Sequence, residues 1–160
     1  MPRAAIHRAE MGDAPAIAGL HALLFDPPWD AAAVASLMAP PAGLALVAIS
    51  APPSPQDGAQ WNRIAGFVLA RVAADEAEIL SVAVAAGMQR QGIARQLLEQ
   101  AMRELDARGA RRLFLEVAAD NAPARTLYAG LCLVEVGRRS GYYARPGTTA
   151  VDALVLARDL

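Results

Sequence analysis

The sequence contains no lysine: all fifteen of its basic residues are arginines. Base-composition bias, helped by the abundance of alanine, explains this more simply than function does. It still excludes any loop that needs a lysine ammonium beside a phosphate. The one cysteine, Cys132, cannot form an internal disulfide, and the two histidines, His7 and His21, make no metal-ligand spacing. No metal centre is expected. With apolar neighbours and no histidine nearby, Cys132 is expected to be a small core residue. No apolar run reaches the roughly 18 residues of a membrane span, and the opening MPRAAIHRAE lacks the apolar block of a signal peptide. These absences predict a soluble, cytoplasmic protein without a membrane partner. No basic stripe is interleaved with aromatics, so no direct nucleic-acid binding is expected.

What is present is a chain of 160 residues, 55% hydrophobic and 19% charged, which suits one domain over residues 1–160 with a real core. The net charge of −1 conceals an asymmetry. Up to Gln89 there are four arginines against eight acids; from Arg90 onward there are eleven against eight. An anionic ligand belongs with the second half.

The pattern predicts alternating elements without repeat or linker. AAIHRAE reads as a short strand. Asp13 reads as an N-cap and Pro15 as a first-turn residue of a helix bearing Ile17, Leu20, Leu23 and Leu24 on one side. FDPPWD ends that helix, and Asp30 caps a second one through Met38. LALVAIS is a buried strand, residues 51–62 are a loop by composition, and RIAGFVLARVA with EAEILSVAV form an antiparallel pair. A helix follows from Gly92 to about Arg108, apolar along Ile93, Leu97, Leu98, Ala101, Met102 and Leu105. On its other face Glu99/Arg103 and Glu104/Arg108 make i,i+4 pairs. RRLFLEV is a strand joined through that helix by a parallel crossover. A short helix over DNAPARTLYAG, capped by Asp120 or Asn121, then precedes strands at LCLVEVGRR and VDALVLARDL.

Between the second strand of the pair and the long helix lies GMQRQGIARQLLEQ. A strand that ends in a glycine-containing bend and feeds a helix N-terminus presents unpaired N–H groups and the positive end of the dipole to one point. Phosphate is the natural guest. Gly87 and Gly92 have Walker A separation, but Ile93 and Ala94 follow where Lys and Ser or Thr are needed, and GxGxxG is absent. A lone glycine would more simply make a turn. Arg90, Gln91 and Arg95 around it favour a ligand.

QRQGIA, residues 89–94, resembles the (Q/R)xxGx(G/A) loop of the GNAT acetyltransferases. ILSVAV, LFLEVAADNAPARTLY and the order of elements extend the resemblance over essentially the whole chain. Within that family the pattern is most similar to the RimI-type enzymes, which acetylate the terminal alanine of a small-subunit ribosomal protein. The resemblance implies an α+β fold: a mixed, mostly antiparallel sheet of about seven strands, with splayed central parallel strands and flanking helices. It implies acetyl-CoA as co-substrate. Val82, Ala83 and Val84 would line its acyl arm, Arg90, Gln91, Gly92, Ile93, Ala94 and Arg95 its pyrophosphate, and Asn121 its pantetheine. Glu116 and Tyr128 match the family's general base and acid. By residue type alone, Glu116 also reads as a solvated strand end paired with Arg112, and Tyr128 as core. Tyr142 and Tyr143, in a segment from Arg138 to Tyr143, fall where the family's hairpin holds a peptide N-terminus. The sequence departs from the family after LY, where GLCL replaces the usual helix end and weakens the expected C-cap.

The function expected is acetyl transfer to a primary amine, foremost the N-terminal amine of a protein or peptide, with ribosomal proteins among the acceptors. A small-molecule amine or antibiotic is the alternative acceptor. A non-catalytic acyl-CoA sensor is the alternative of another class.

Overall fold

The computed structural model describes residues 4–50 and 64–160. The loop expected at 51–62 lies outside the described residues. Strands β1 (Ala5–Arg8), β2 (Gly43–Ile49), β3 (Ile64–Ala73), β4 (Glu76–Val84), β5 (Arg112–Ala118), β6 (Val134–Tyr143) and β7 (Val151–Asp159) form one sheet in the order β1-β2-β3-β4-β5-β7-β6. Helices α1 (Ala14–Leu24) and α2 (Ala31–Met38) precede β2, α3 (Ile93–Ala107) joins β4 to β5, and α4 (Ala122–Gly130) follows β5. Only β4 and β5 run parallel; every other neighbouring pair is antiparallel. The expected α+β class with seven strands is the one observed.

Apolar residues on both sides of the central strands explain the layering. Leu97, Leu98 and Leu105 of α3 pack with Leu46, Val68 and Leu113 on one face. Ile17, Leu20 and Val34 of α1 and α2 pack with Val47, Phe67 and Leu69 on the other. Strand β2 is buried on both faces because helices cover both. Gly43 sits where a Cβ would collide with the backbone of Leu37 and Met38, so only glycine lets α2 turn this tightly into β2.

Several local expectations give way to longer-range partners. Asp13 is already helical and makes no side-chain cap for α1. Its Oδ2 accepts the Glu10 N–H at 2.8 Å instead, because a 3-10 turn over Met11–Asp13 starts the helical path one turn early. Leu23 is 81% exposed, and His21 takes the inward position beside Ile17 and Leu20. Asp30 caps α2 as expected, accepting the Ala33 N–H at 2.8 Å. On α3 the buried stripe is the predicted one. Its expected ion pairs are not: Glu104 accepts Arg8 at 2.7 Å, Arg108 donates to the Gly43 carbonyl at 2.9 Å, and the i,i+4 pair is Arg95 with Glu99 at 2.9 Å. Strands β1 and β2 lie close enough to α3 to compete for its charges.

The GLCL segment does close α4. The Leu133 N–H donates to the Tyr128 carbonyl and the Cys132 N–H to the Ala129 carbonyl, both at 3.0 Å, a Schellman arrangement. Cys132 holds the left-handed position with φ of 62° and is exposed, so it is not the core residue expected from its neighbours. A cap position lies past the helix, where its side chain has nothing to pack under. Because a Cβ is strained in that conformation, Cys132→Gly is expected to stabilise the fold by up to about 1 kcal/mol, read as a higher urea midpoint.

Strand β6 starts at Val134, since residues 131–133 form the cap, and is the sheet edge. It continues through the segment expected to be a hairpin. Arg139 pairs with Ala153 and Tyr143 with Val151, so Ser140, Gly141 and Tyr142 of β6 lie opposite the single Asp152 of β7. The extra residues bulge, and Asp152 fastens them: Oδ1 accepts the Gly141 N–H at 2.9 Å and Oδ2 accepts Arg138 at 3.3 Å.

Candidate active site

The site originates in a defect of the sheet. Leu69 pairs with Ser81 and Ala70 with Ile79, leaving Leu80 as an extra residue in β4. Such a bulge bends a strand. Strands β4 and β5 pair only at Glu76–Arg112, Ala77–Leu113 and Glu78–Phe114, then part. From Ile79 on, the backbone groups of β4 that face β5 have no partner strand and are available to a guest.

On one side of the split lies a cavity of about 500 Å³. Val82, Ala83 and Val84 form its strand wall, and Gly92, Ile93, Ala94 and Arg95 its helix-terminal wall. Arg90 and Asn121 also line it; Gln91, alone of the ten residues expected to hold the cofactor, does not. Gly92 is the N-cap of α3 with φ of 79° and no side chain to cap the first turn. The uncapped N–H groups therefore open onto the cavity. Gln89 braces the bend, donating from Nε2 to the Val84 carbonyl at 3.0 Å. Arg95 is held by Glu99 and by the Gly130 carbonyl, the latter at 3.3 Å. Asn121 caps α4 by accepting the Ala124 N–H at 3.2 Å, which occupies its Oδ1 and leaves its amide nitrogen for a guest.

On the other side lies a cavity of about 540 Å³ that contains Glu116, Tyr128 and Tyr143. Tyr128 and Val82 line both cavities, so the two meet there. Glu116 is paired through Oε1 with Arg139 Nε at 2.9 Å, not with Arg112, whose guanidinium lies over Phe114. A carboxylate has a second oxygen, and Oε2 can take a further donor. Tyr128 is buried, and burial first, with nearby Tyr143 second, pushes its pKa up to about 12. It keeps its proton at every physiological pH. Tyr143 is likewise raised, by burial and then by Glu116. Tyr142 is 54% exposed, lies under Arg139 and lines neither cavity. Neighbouring strand residues point to opposite faces, so only one of the two tyrosines can turn inward.

Three features of this cavity were not singled out from sequence. His21 is buried between Phe25 and Trp29, each ring 4.5 Å away, and burial lowers its pKa, so the ring is neutral near pH 7. Its Nδ1 accepts the Trp29 N–H at 3.1 Å, which fixes the FDPPWD turn. Arg145 closes the rim in a two-point pair with Asp120, both contacts 3.0 Å. Ser81 also lines this cavity. The stack on His21 is local, with partners four and eight residues away, whereas Arg145 meets Asp120 across 25 residues of sequence.

The profile of the acetyltransferase (GNAT) family matches residues 20–131. The chain belongs to the GNAT family. This GNAT domain is 41% identical over 99 residues to the ribosomal protein bS18-alanine N-acetyltransferase of Escherichia coli, across 61% of this chain and 66% of that protein. It is 43% identical over 96 residues to the Salmonella typhimurium protein of the same name, across 60% and 64%. The chain thus spans just under two thirds of the length of these relatives. The crystal structure of the ribosomal-protein-S18-alanine N-acetyltransferase from Escherichia coli superposes with a TM-score of 0.81 at 32% identity, covering 97% of this chain and 92% of that one. The sequence resemblance to the GNAT acetyltransferases, RimI-type proteins included, is borne out.

Proposed function

We propose that this GNAT domain transfers the acetyl group of acetyl-CoA to the N-terminal α-amine of a protein, with a terminal alanine of a ribosomal protein as the leading acceptor. The cytoplasmic setting expected from the sequence accompanies this reading. The observation that carries it is the meeting of two cavities at Tyr128 and Val82: one walled by the uncapped start of α3, the other by Glu116. The likeness to the alanine acetyltransferases supports the choice of acceptor.

The uncapped N–H groups of α3, with Arg90, bind the pyrophosphate electrostatically. Val82 to Val84 guide the acyl arm to the split, where the unpaired amides of β4 meet the thioester carbonyl and stabilise its oxyanion. Glu116 takes the proton of the attacking amine, through Oε2. Tyr128 hydrogen-bonds the departing thiolate. With a pKa near 12 against about 8.5 for a thiol, the phenol does not give its proton away fully. It stabilises the developing charge as a donor. A terminal amine, with a pKa of about 7.7 to 8.0, is roughly a tenth neutral at pH 7, whereas a lysine near 10.4 is almost wholly charged. A carboxylate base therefore suits the terminal amine.

The test is acetyl-CoA turnover against peptides differing in their first residues, with products located by mass spectrometry. Turnover on alanine-terminated peptides is expected. Turnover on a polyamine but on no terminal amine would replace this acceptor with a small molecule; CoA binding without any turnover would leave a sensor.

A further inference from the structure

Tyr143 turns into the 540 Å³ cavity just after the bulge of β6, where the ladder that would hold a strand residue in place is interrupted. Arg145 supplies a hold from outside the sheet. Its guanidinium lies over the Tyr143 ring, 5.6 Å from the centroid. Its Nε and Nη2 donate to Oδ2 and Oδ1 of Asp120, each at 3.0 Å, and its Nη1 donates to the carbonyl of Ala144 at 3.2 Å. All three nitrogens are engaged by the protein itself. The side chains of Arg145 and Asp120 are 33% and 49% exposed, and an ion pair so open to water contributes little to stability. Two parallel contacts do fix geometry.

The two ends of this pair differ. Asp120 lies in the turn between β5 and α4, which is braced from both sides: the Ala119 N–H donates to the Asp152 carbonyl of β7, and Arg125 of α4 donates to the Ala119 carbonyl, both at 2.9 Å. Arg145 lies in the connection between β6 and β7, residues 144–150, where the Thr148 N–H reaches the Arg145 carbonyl at 3.4 Å. Among the described residues, no other side-chain hydrogen bond ties this connection to another element. Asp120 is thus the anchor and Arg145 the arm. The Asp120 carboxyl is held below the usual carboxylate range, first by the hydrogen bond from Arg145, so the pair stays charged near neutral pH. Tyr143 and Arg145 line the cavity of Glu116, whereas Asp120 lines neither cavity.

We infer that Asp120 and Arg145 form a positioning clasp for the acceptor: they pin the β6–β7 connection to the start of α4 and hold Tyr143 in the cavity before the acceptor arrives. This rests on the acyl-transfer reading proposed above, in which the cavity of Glu116 receives the acceptor. Both clasp residues act through Tyr143. A wall set in advance spares the acceptor the work of ordering it, and the difference appears as affinity.

Arg145→Ala, Arg145→Lys, Asp120→Ala and Tyr143→Ala, assayed as full chains with an alanine-terminated peptide, test this. Arg145→Ala is expected to raise the peptide KM about five- to tenfold, with kcat lowered less than about threefold and the KM for acetyl-CoA within about twofold of wild type. Asp120→Ala is expected to raise the peptide KM about threefold or more, although its side chain lines neither cavity. Arg145→Lys, which keeps a cation beside Asp120 and Tyr143, is expected to stay within about threefold of wild type. Melting temperatures of the Arg145 and Asp120 variants are expected within about 3 °C of wild type, as for any exposed pair. In a Tyr143→Ala background, Arg145→Ala is expected to add less than about twofold, because the residue it acts through is gone. An unchanged peptide KM in either alanine variant of the clasp would overturn the inference. So would full additivity with Tyr143→Ala, which would mean that Arg145 meets the acceptor itself, or an equal rise in both KM values with a lower melting temperature, which would trace to a loosened fold. A wild-type chain without turnover on any terminal amine would overturn the proposed function itself, and this inference with it.

Discussion

Glu116→Gln is expected to lower kcat/KM for an N-terminal peptide by a factor of about 10² to 10⁴, the usual worth of a positioned general base. The substitution keeps shape and hydrogen-bonding reach. A glutamine carbonyl still accepts from Arg139, which now holds Oε1 at 2.9 Å, so the rim of the cavity stays in place. What is lost is the ability of the second oxygen to receive a proton. Calorimetry with CoA should give an unchanged dissociation constant, because Glu116 lines the cavity that holds Tyr143 and not the one walled by α3. A variant that turns over at the wild-type rate would remove Glu116 from the chemistry and leave it as half of a surface ion pair.

The second large effect is that of Tyr128→Phe, for which kcat is expected to fall about 10- to 100-fold, as befits a hydrogen bond to a charged leaving group. Single-turnover thiol release measures it. The same variant makes a separate prediction about stability. The phenol is raised from 10.0 to about 12 in the fold, chiefly by burial. Between those values the unfolded chain has lost the proton and the folded chain keeps it, so stability falls as pH rises from about 10 to 12. The loss across that interval amounts to about 2 to 3 kcal/mol. Below pH 10 the tyrosine is protonated in both states and contributes no slope. Urea titrations at pH 9 and 11.5 should therefore show a larger drop for wild type than for Tyr128→Phe. Parallel drops in the two proteins would mean that the hydroxyl is not buried in the fold.

Some of the site was legible because its causes are short-range. The bend proposed to hold the pyrophosphate needs a glycine with positive φ, a following amphipathic helix and a preceding strand, all inside QRQGIARQLL and its neighbours, and Gly92 at 79° starting α3 is what results. The cap at Asp30 and the stripe from Ile93 to Leu105 are equally local. The partners of charged residues were not legible. Glu116 meets Arg139 only because β7 lies between β5 and β6, with Glu116 opposite Val155 and Gly137 opposite the same residue. Arg139 lies two residues further along β6, on the same face. Nothing near Glu116 in sequence indicates this, and Arg112 looked the nearer candidate. Likewise the two tyrosines are identical to any composition argument, while the bulge in β6 selects Tyr143 for the cavity and leaves Tyr142 to solvent.

Local sequence was enough for the order of strands and helices, the helix-terminal bend, the lack of any Walker-type lysine and the resemblance to an acetyltransferase family, since these depend on residues within a few turns of one another. Packing in three dimensions made the remaining choices: that β4 bulges at Leu80 and parts from β5, that Glu116 pairs with Arg139 and that Cys132 is exposed at a cap. The physical reason is the two-residue period of a strand. One inserted residue reverses the side chains that follow it, and whether a strand bulges is settled by the strands and helices packed against it.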